Sequence, residues 1–575
     1  MAKKTVSEII IDTLQAAGVK RVYGLVGDSL NGLTDTIRTR EGIEFIQVRH
    51  EEAGAFAAGA EAHITGELAV CAGSCGPGNT HLINGLFDCH RSRMPVLALA
   101  AQIPSIEIGT GYFQETHPER LFQECSHYCE VIATPEQAVR MVEAAIQASL
   151  GLGGVSVLVI PGDVSRLKAE APEPRLPALG HNSAIVPAKT KIAEAAQLLN
   201  ECKRVTILAG IGCDSAHGEL LQAAQALQAP VVHALRGKDC VEPNNPYDVG
   251  LTGLLGMPAG YHALMDADGI LMLGTDFPYR QFFPENARVV QVDKHAEHIG
   301  RRTRVEVGLH GTVIETLTQL LPHLRTRTDA AHLEAAQQRH RDDDAHLAEL
   351  ATGEAGDTSL HPPHVARLLS ELATDNAIFT CDVGTPTIWA ARYLRMNGHR
   401  RLIGSFIHGS MAGALSQAIG MQLACPEKQV IAMCGDGGFT MLLSELMTVR
   451  QLKVPIKVVI FNNSAYGFVE LEMKAAGTLE YGTEMDNPDF AQLAEAAGIK
   501  GLRVSDPSQL ESVLREALAH DGPVIVDAVV KRQELSMPPH IELAQAEGFS
   551  LYAMKAIMDG RGGELLELAK TNLFH

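Results

Sequence analysis

The stretch QVIAMCGDGGFT, Gln429–Thr440, decides how the rest of the chain is read. A short apolar run ends in three glycines that surround one acid, Asp436. Apolar runs of this length, bounded by glycine, fit strands buried on both faces. The following FTMLLSELMTVRQL, Phe439–Leu452, has the spacing of an amphipathic helix, and PIKVVIFNN, Pro455–Asn463, is a second buried strand. Strand, helix and strand form one right-handed crossover unit, so both strands run the same way. Asp436 then lies past the carboxyl end of the first strand and Asn462–Asn463 past that of the second. Open α/β sheets bind ligands at this edge. A carboxylate and an amide oxygen brought together there suit a hard divalent cation, Mg²⁺. Glycines would bend the backbone and turn N–H groups toward phosphate oxygens. The plain alternative is an ordinary Gly/Asp turn. No GxxxxGK[ST] occurs, so the stretch is no P-loop.

Working outward, the same alternation of buried strands and amphipathic helices occurs in three blocks. The first runs from VSEIIIDTLQAAG through LAVCAG and PVLALAA to VSVLVIP, and a Pro/Ala-rich linker is expected near 168–180. The second holds RVTILAGIG, PVVHAL, GILMLGTDFP and ARVVQVD; the third starts at AIFTCDVG and ends at PVIVDAVV. Between them, 325–362 is a charged helix and connector. The fold class is therefore α/β, with three doubly wound parallel-sheet domains at 1–180, 181–335 and 336–535 and a C-terminal helical tail at 536–575.

A net charge of −20 argues against nucleic acid as a partner, which would need a basic face. Eleven cysteines without a CxxC pair fit reduced, mostly buried thiols rather than a zinc site. MAKKTVSEII has no signal-peptide apolar region, and no run reaches the ~20 residues of a membrane span, so a cytoplasmic chain is expected.

The GDG of 435–437, a helix-sized gap and the NN of 462–463 resemble the thiamine diphosphate binding motif. By that resemblance Asp436, Asn463 and the carbonyl of Ala465 hold Mg²⁺, with Gly437, Gly438 and the run Ser464, Tyr466, Gly467, Phe468 and Val469 around the diphosphate. Such enzymes need a glutamate facing the aminopyrimidine ring, and Glu51 in VRHEEAGAFAAGAEA fits the R-H-E pattern. A carboxylate there stabilises the imino tautomer, which takes the proton from thiazolium C2. Alone, Glu51 reads equally as an acid opening a helix. Because Glu51 and Asp436 fall in separate blocks, the active site is expected between domains, and in the family between subunits.

CAGSCGPGNTHLINGLFDCHRSRMPVLALAAQIP, GYFQETHP, GSFIHGSM and CDVGTPTIWAARYL resemble bacterial pyruvate oxidases over essentially the whole chain, and most closely the quinone-reducing, acetate-forming kind. The resemblance implies that Phe113 and Gln114 line a pyruvate pocket, that Gly409, Ser410 and Met411 hold the cofactor with Met411 as a wedge, and that Phe468 is mobile. It implies FAD on the middle domain, touching Gly210, Gly212, Thr252, Gly253, Leu254, Leu255, Gly274, Thr275, Asp276, Phe277, Pro278, Tyr279 and Asp293. Asp276 and Ile407 depart from close relatives. A homotetramer follows from the same resemblance. An acetohydroxyacid synthase-like carboligase, a phosphate-dependent, oxygen-reducing oxidase and a non-enzymatic scaffold are the alternatives.

In the tail, Leu565, Leu568, Ala569 and Leu573 share a helical face beyond Gly562 and Gly563, with Glu564, Glu567 and Lys570 on another. The expectation is a segment docked on the protein at rest that reversibly meets the lipid bilayer surface, where ubiquinone resides.

Overall fold

The structure is a computed structural model, which describes residues 3–174, 176, 184–352, 358–532, 534, 539, 543–559, 561, 565 and 568. Three six-stranded parallel sheets carry it, each flanked by helices. In the first, the strands lie side by side as Glu44–Gln47, Arg21–Gly24, Ala69–Gly73, Val96–Gln102, Val155–Pro161 and Tyr128–Val131. The third repeats that pattern as Arg401–Gly404, Ile378–Cys381, Val430–Gly435, Lys457–Asn462, Val524–Val529 and Lys500–Val504. Counting strands along the chain, both follow the order 2-1-3-4-6-5.

The middle sheet is different. Its strands Asp248–Leu251, Val231–His233, Val205–Ala209, Gly269–Leu273, Arg288–Asp293 and Val307–His310 lie in the order 3-2-1-4-5-6. That is the order of dinucleotide-binding sheets, with its switch point between the strands Val205–Ala209 and Gly269–Leu273.

The central strands of all three sheets are largely apolar and buried on both faces, as parallel sheets require. What joins the first unit to the third is a close helix pair, Glu51–Thr65 against Gly413–Ala424. Both helices are rich in Ala and Gly, so their backbones approach closely. A Cβ on Gly420 would collide with the Ala57 carbonyl oxygen. Position 420 therefore has to be glycine for this crossing to exist.

Two local expectations need correction. The helix expected over Phe439–Leu452 is two, Asp436–Met441 and Glu445–Leu452, separated by a turn in which Leu442 takes φ −121° and ψ 37°. The expected linker begins as a strand, Lys168–Glu170, paired antiparallel with Lys3–Thr5; residues 177–180 lie outside those described. In the tail, a helix spans Leu543–Met558. The apolar face read from Ala569 and Leu573, and the flanking 562–564, 566–567 and 570–575, lie outside the described residues.

Candidate functional site

Asp436 is the first residue of its helix, immediately after the strand that ends at Gly435, and is 2% exposed. Its Oδ1 accepts from Gly437 N at 2.9 Å, and its Oδ2 accepts from Ser464 N at 2.7 Å and Asn487 Nδ2 at 2.8 Å. The loop after the neighbouring strand thus hangs from the Asp436 carboxylate. Ser464 holds a left-handed φ of 54°, and the Asn463 side-chain oxygen accepts from Ala465 N at 3.2 Å. Burial pushes the Asp436 carboxyl up to about 6, although the N–H donors around it, Gly437 first, pull the other way. A buried carboxylate surrounded only by neutral donors, with an amide oxygen on the same loop, has the donor chemistry of an Mg²⁺ site. Asn462 does not face this loop; it donates to Asp527 Oδ1 at 2.9 Å and accepts from Asn487 at 3.0 Å.

The glycines do something other than turn the chain. Neither Gly437 nor Gly438 has a positive φ, and both are helical. A Cβ on Gly437 would meet Tyr466 Cε1 at 2.5 Å, and one on Gly438 would meet Asp382 Oδ2 at 2.5 Å. They are glycines because two side chains lie against them. Asp382, unrecognised from the sequence, is 2% exposed; its Oδ1 accepts from Ala414 N at 3.0 Å, while Oδ2 is buried without a hydrogen-bond partner. Burial pushes its carboxyl up to about 6.

Tyr466, Gly467 and Phe468 are half-buried and Val469 is exposed, the last three opening the helix Gly467–Ala475. Phe468 leans on the core cluster of the third sheet. Gly409 is exposed with φ 82°, Met411 is half-buried, and Ser410 Oγ donates to the Met411 carbonyl at 2.8 Å.

Glu51 opens the helix Glu51–Thr65 and is 3% exposed. It sits at a helix N-terminus and is at the same time a buried acid with a specific partner. That partner is His81, whose Nδ1 lies 2.9 Å from Glu51 Oε2. The His81 ring stacks on His50 at 4.3 Å. From the same helix as His81, Asn84 donates to Glu52 Oε1 at 2.7 Å and to Ser410 Oγ at 2.9 Å, and its Oδ1 accepts from His408 Nε2 at 2.9 Å. Arg49 N donates to the fully buried Glu445 at 3.0 Å. These contacts bring the edge of the first sheet's unit to the Ser410 loop of the third. His81, Asn84, Asp382, Glu445 and Asn487 carry no local motif; only NTHLIN and CDVG, beside recognised stretches, hint at the first three.

Gln114 sits at φ 62°, and its Oε1 accepts from Cys75 Sγ at 3.4 Å. Phe113 beside it is 78% exposed. Ile407 is also exposed.

On the middle sheet, the expected nucleotide residues all fall at the carboxyl edge. Gly210 and Gly212 follow the strand Val205–Ala209, Thr252, Gly253, Leu254 and Leu255 follow Asp248–Leu251, and Gly274 through Tyr279 follow Gly269–Leu273. Gly210 and Gly212 have ordinary φ; a Cβ on Gly212 would meet Gly274 Cα at 2.6 Å, so these glycines let the two loops at the switch point touch. Gly253 (φ 97°) faces Phe277 and Tyr279, whose rings meet edge to face at 5.3 Å. Leu254 and Pro278 are exposed, Thr275 is buried, and Thr252 Oγ1 is buried without a partner. Asp276 is held by Arg302 Nε at 2.8 Å and Arg301 at 3.4 Å. Asp293 closes its strand, accepting from His295 N at 2.8 Å. The strand order and the orphaned Thr252 hydroxyl fit a dinucleotide such as FAD.

Residues 4–121, 192–320 and 382–528 match the N-terminal TPP binding, central and C-terminal TPP binding domains of thiamine pyrophosphate enzymes. A putative thiamine pyrophosphate-containing protein of Bacillus subtilis is 36% identical over 99% of this chain and 99% of its own. Pyruvate oxidase of Lactiplantibacillus plantarum is 30% identical over 91% and 88%. A probable acetolactate synthase large subunit of Methanocaldococcus jannaschii is 29% identical over 93% of each chain.

Proposed function

From the premise that this chain belongs to the thiamine pyrophosphate enzyme family, we propose that it oxidises pyruvate to acetate and CO₂ with Mg²⁺ and FAD and delivers the electrons to a membrane quinone. Pyruvate and water give acetate, CO₂, two protons and two electrons, and a quinone takes up both pairs as quinol. Thiamine diphosphate supplies a carbanion nucleophile and an electron sink for the bond to CO₂. Asp436, Asn463 and the Ala465 carbonyl are the residues that would hold Mg²⁺ on the diphosphate. Glu51, fixed by His81, exchanges a proton with the cofactor's pyrimidine end. Gln114, held by Cys75, orients pyruvate.

The observation that carries the oxidase reading is the outer face of the C-terminal helix. Leu551, Met554, Ile557 and Met558 are 41%, 57%, 64% and 88% exposed, at the spacing of one helical face. The opposite face is bound to the third unit: Tyr552 donates to Glu480 at 2.8 Å and Lys555 to the Gly477 carbonyl at 2.7 Å. An apolar stripe on a docked helix suits a bilayer surface, where a lipid-soluble quinone is met. No described helix is long and apolar enough to cross a membrane, so the association proposed is peripheral and reversible, on the cytoplasmic face. A homotetramer, with the active site shared between subunits, belongs to the same reading. The second reading is an acetolactate-forming carboligase, favoured by the similarity to the Methanocaldococcus jannaschii relative.

One anaerobic experiment separates them. Mixing the protein with pyruvate, thiamine diphosphate and Mg²⁺ bleaches the flavin if it is the oxidase. Acetolactate accumulating while the flavin stays yellow overturns the oxidase reading, and a phosphate requirement with acetyl phosphate as product overturns the acetate-forming one.

A further inference from the structure

At the carboxyl edge of the middle sheet two arginines cross between units in opposite directions. Arg236, from the middle unit, donates to the Ser92 carbonyl of the first at 3.3 Å. Arg93, from the first, reaches back to two histidines of the middle unit, His295 Nδ1 at 3.0 Å and His298 Nε2 at 2.7 Å. Arg93 has φ 62°, a left-handed conformation that is uncommon for a non-glycine residue.

The chemistry of these contacts fixes where the protons are. A guanidinium only donates, so both contacted ring nitrogens accept. His298 therefore carries its proton on Nδ1, which faces Asp293 Oδ2 at 3.3 Å. His295 carries its proton on Nε2, and that nitrogen is buried with no hydrogen-bond partner. A buried N–H without an acceptor is costly, and native structures rarely leave one unless something fills the place.

The surroundings say what kind of acceptor is missing. Lys294 lies close enough to Arg93 and Arg236 for both to lower its pKa, second to the effect of its burial. Arg236 is itself lowered by burial, and Arg93 repels it. Of the acids at hand, Asp293 is engaged by His298 and His295 N. Asp88 and Asp239, which act on Arg236, are tied to Ser405 at 2.8 Å and Arg401 at 2.7 Å. Glu297 meets Arg93 at 3.5 Å but is 65% exposed, so solvent screens it. Cations thus converge on a sheet edge beside an orphan N–H donor, next to the strand-closing acid of a dinucleotide-type sheet.

We infer that Arg93, Lys294, Arg236 and the His295 Nε2–H form a phosphate-binding subsite for an adenine nucleotide on the middle sheet, one to which the first unit contributes Arg93. The bound diphosphate completes the His295 hydrogen bond, offsets the like charges and ties the first unit to the second. The inference rests on the proposed flavin function only for the identity of the nucleotide.

The test uses the purified full-length protein. Nucleotide released on denaturation is identified and counted per chain, and its loss on dilution is timed for wild type, Arg93→Lys and His295→Phe. Each variant keeps bulk at its position, and each is judged against its own unfolding temperature without nucleotide, so a folding defect is separated from a binding one. Expected is FAD in the wild type and loss about tenfold faster in both variants, in the range of a lost hydrogen bond to a charged group. Added ADP should slow wild-type inactivation more than inorganic phosphate does, and this difference should shrink in the variants. If the wild type releases ADP or another non-flavin nucleotide and the variants lose it faster, the subsite stands and the flavin reading fails. If FAD is present and both variants keep it as the wild type does, the subsite is overturned and the flavin reading stands. Protection by inorganic phosphate equal to that by ADP overturns the nucleotide assignment.

Discussion

The first and third sheets share one strand order, 2-1-3-4-6-5, yet their carboxyl edges carry different chemistry. In the third, the strand Val430–Gly435 is followed by Asp436, and the next strand by the Asn463 loop that hangs from it. In the first, the strand in the same place, Ala69–Gly73, is followed by Ser74 and Cys75, and the acid that matters, Glu51, comes after the strand Glu44–Gln47 instead. Under the proposed function, one topology serves once for a cation and diphosphate and once for a proton. Function lives in the residues at the strand ends, while the sheet only sets where those ends are.

Removing Asp436 is the hardest blow to the third sheet's half of this division. In Asp436→Ala the Ser464 and Asn487 donors lose their acceptor and the cation loses its carboxylate. Mg²⁺-dependent retention of thiamine diphosphate should be abolished in equilibrium dialysis. Unchanged retention would place the metal elsewhere.

Glu51→Gln tests the first sheet's half. Shape is kept while the proton-exchanging group is removed, so cofactor should still bind and turnover should fall by about 10² or more. Near-normal turnover would leave Glu51 as no more than a helix-opening acid.

Asp382 separates structural burial from site chemistry within the third sheet. Its carboxyl rises from 3.8 unfolded to about 6 folded, chiefly through burial. A raised acid binds more protons folded than unfolded, so its contribution to stability is fully present below pH 3.8. It is lost as pH climbs through 6 and is flat above that. Asp382→Asn should remove that slope and gain up to about 3 kcal/mol above pH 6. Urea unfolding at pH 4 and pH 7 measures it; parallel pH dependence in both proteins would mean that the group does not titrate in this range.

How much of this could be read from residues alone follows from distance along the chain. The strand–helix–strand at 429–463 was legible because its apolar runs and its Asp436-to-Asn463 spacing are local. The break at Leu442 was not, because Leu442 is buried and its apolar spacing continues across the turn. Lys168–Glu170 looked like a linker because its partner strand begins the chain. His81, Asn84, Asp382 and Glu445 acquire their roles only through contacts with remote segments. The glycines of GDGG were legible as special but for a different reason than bending, since the side chains they admit, Tyr466 and Asp382, come from elsewhere.

The smallest expected effect concerns the seam where the two edges meet. Asn84, on the first unit, gives one proton to Glu52 and the other to Ser410 Oγ of the third, and its oxygen faces His408. These are partly buried, neutral or singly charged contacts, so each contributes on the order of 1 kcal/mol. A double-mutant cycle of Asn84→Ala and Ser410→Ala isolates the contact that crosses between units. A coupling of about 0.5–1.5 kcal/mol in chemical unfolding is expected, because each single change removes the same hydrogen bond. The neighbouring helix crossing at Gly420 should be untouched. A coupling near zero would mean that the two edges are held in register by the Gly420 crossing alone, and that Asn84 serves its Glu52 and His408 neighbours instead.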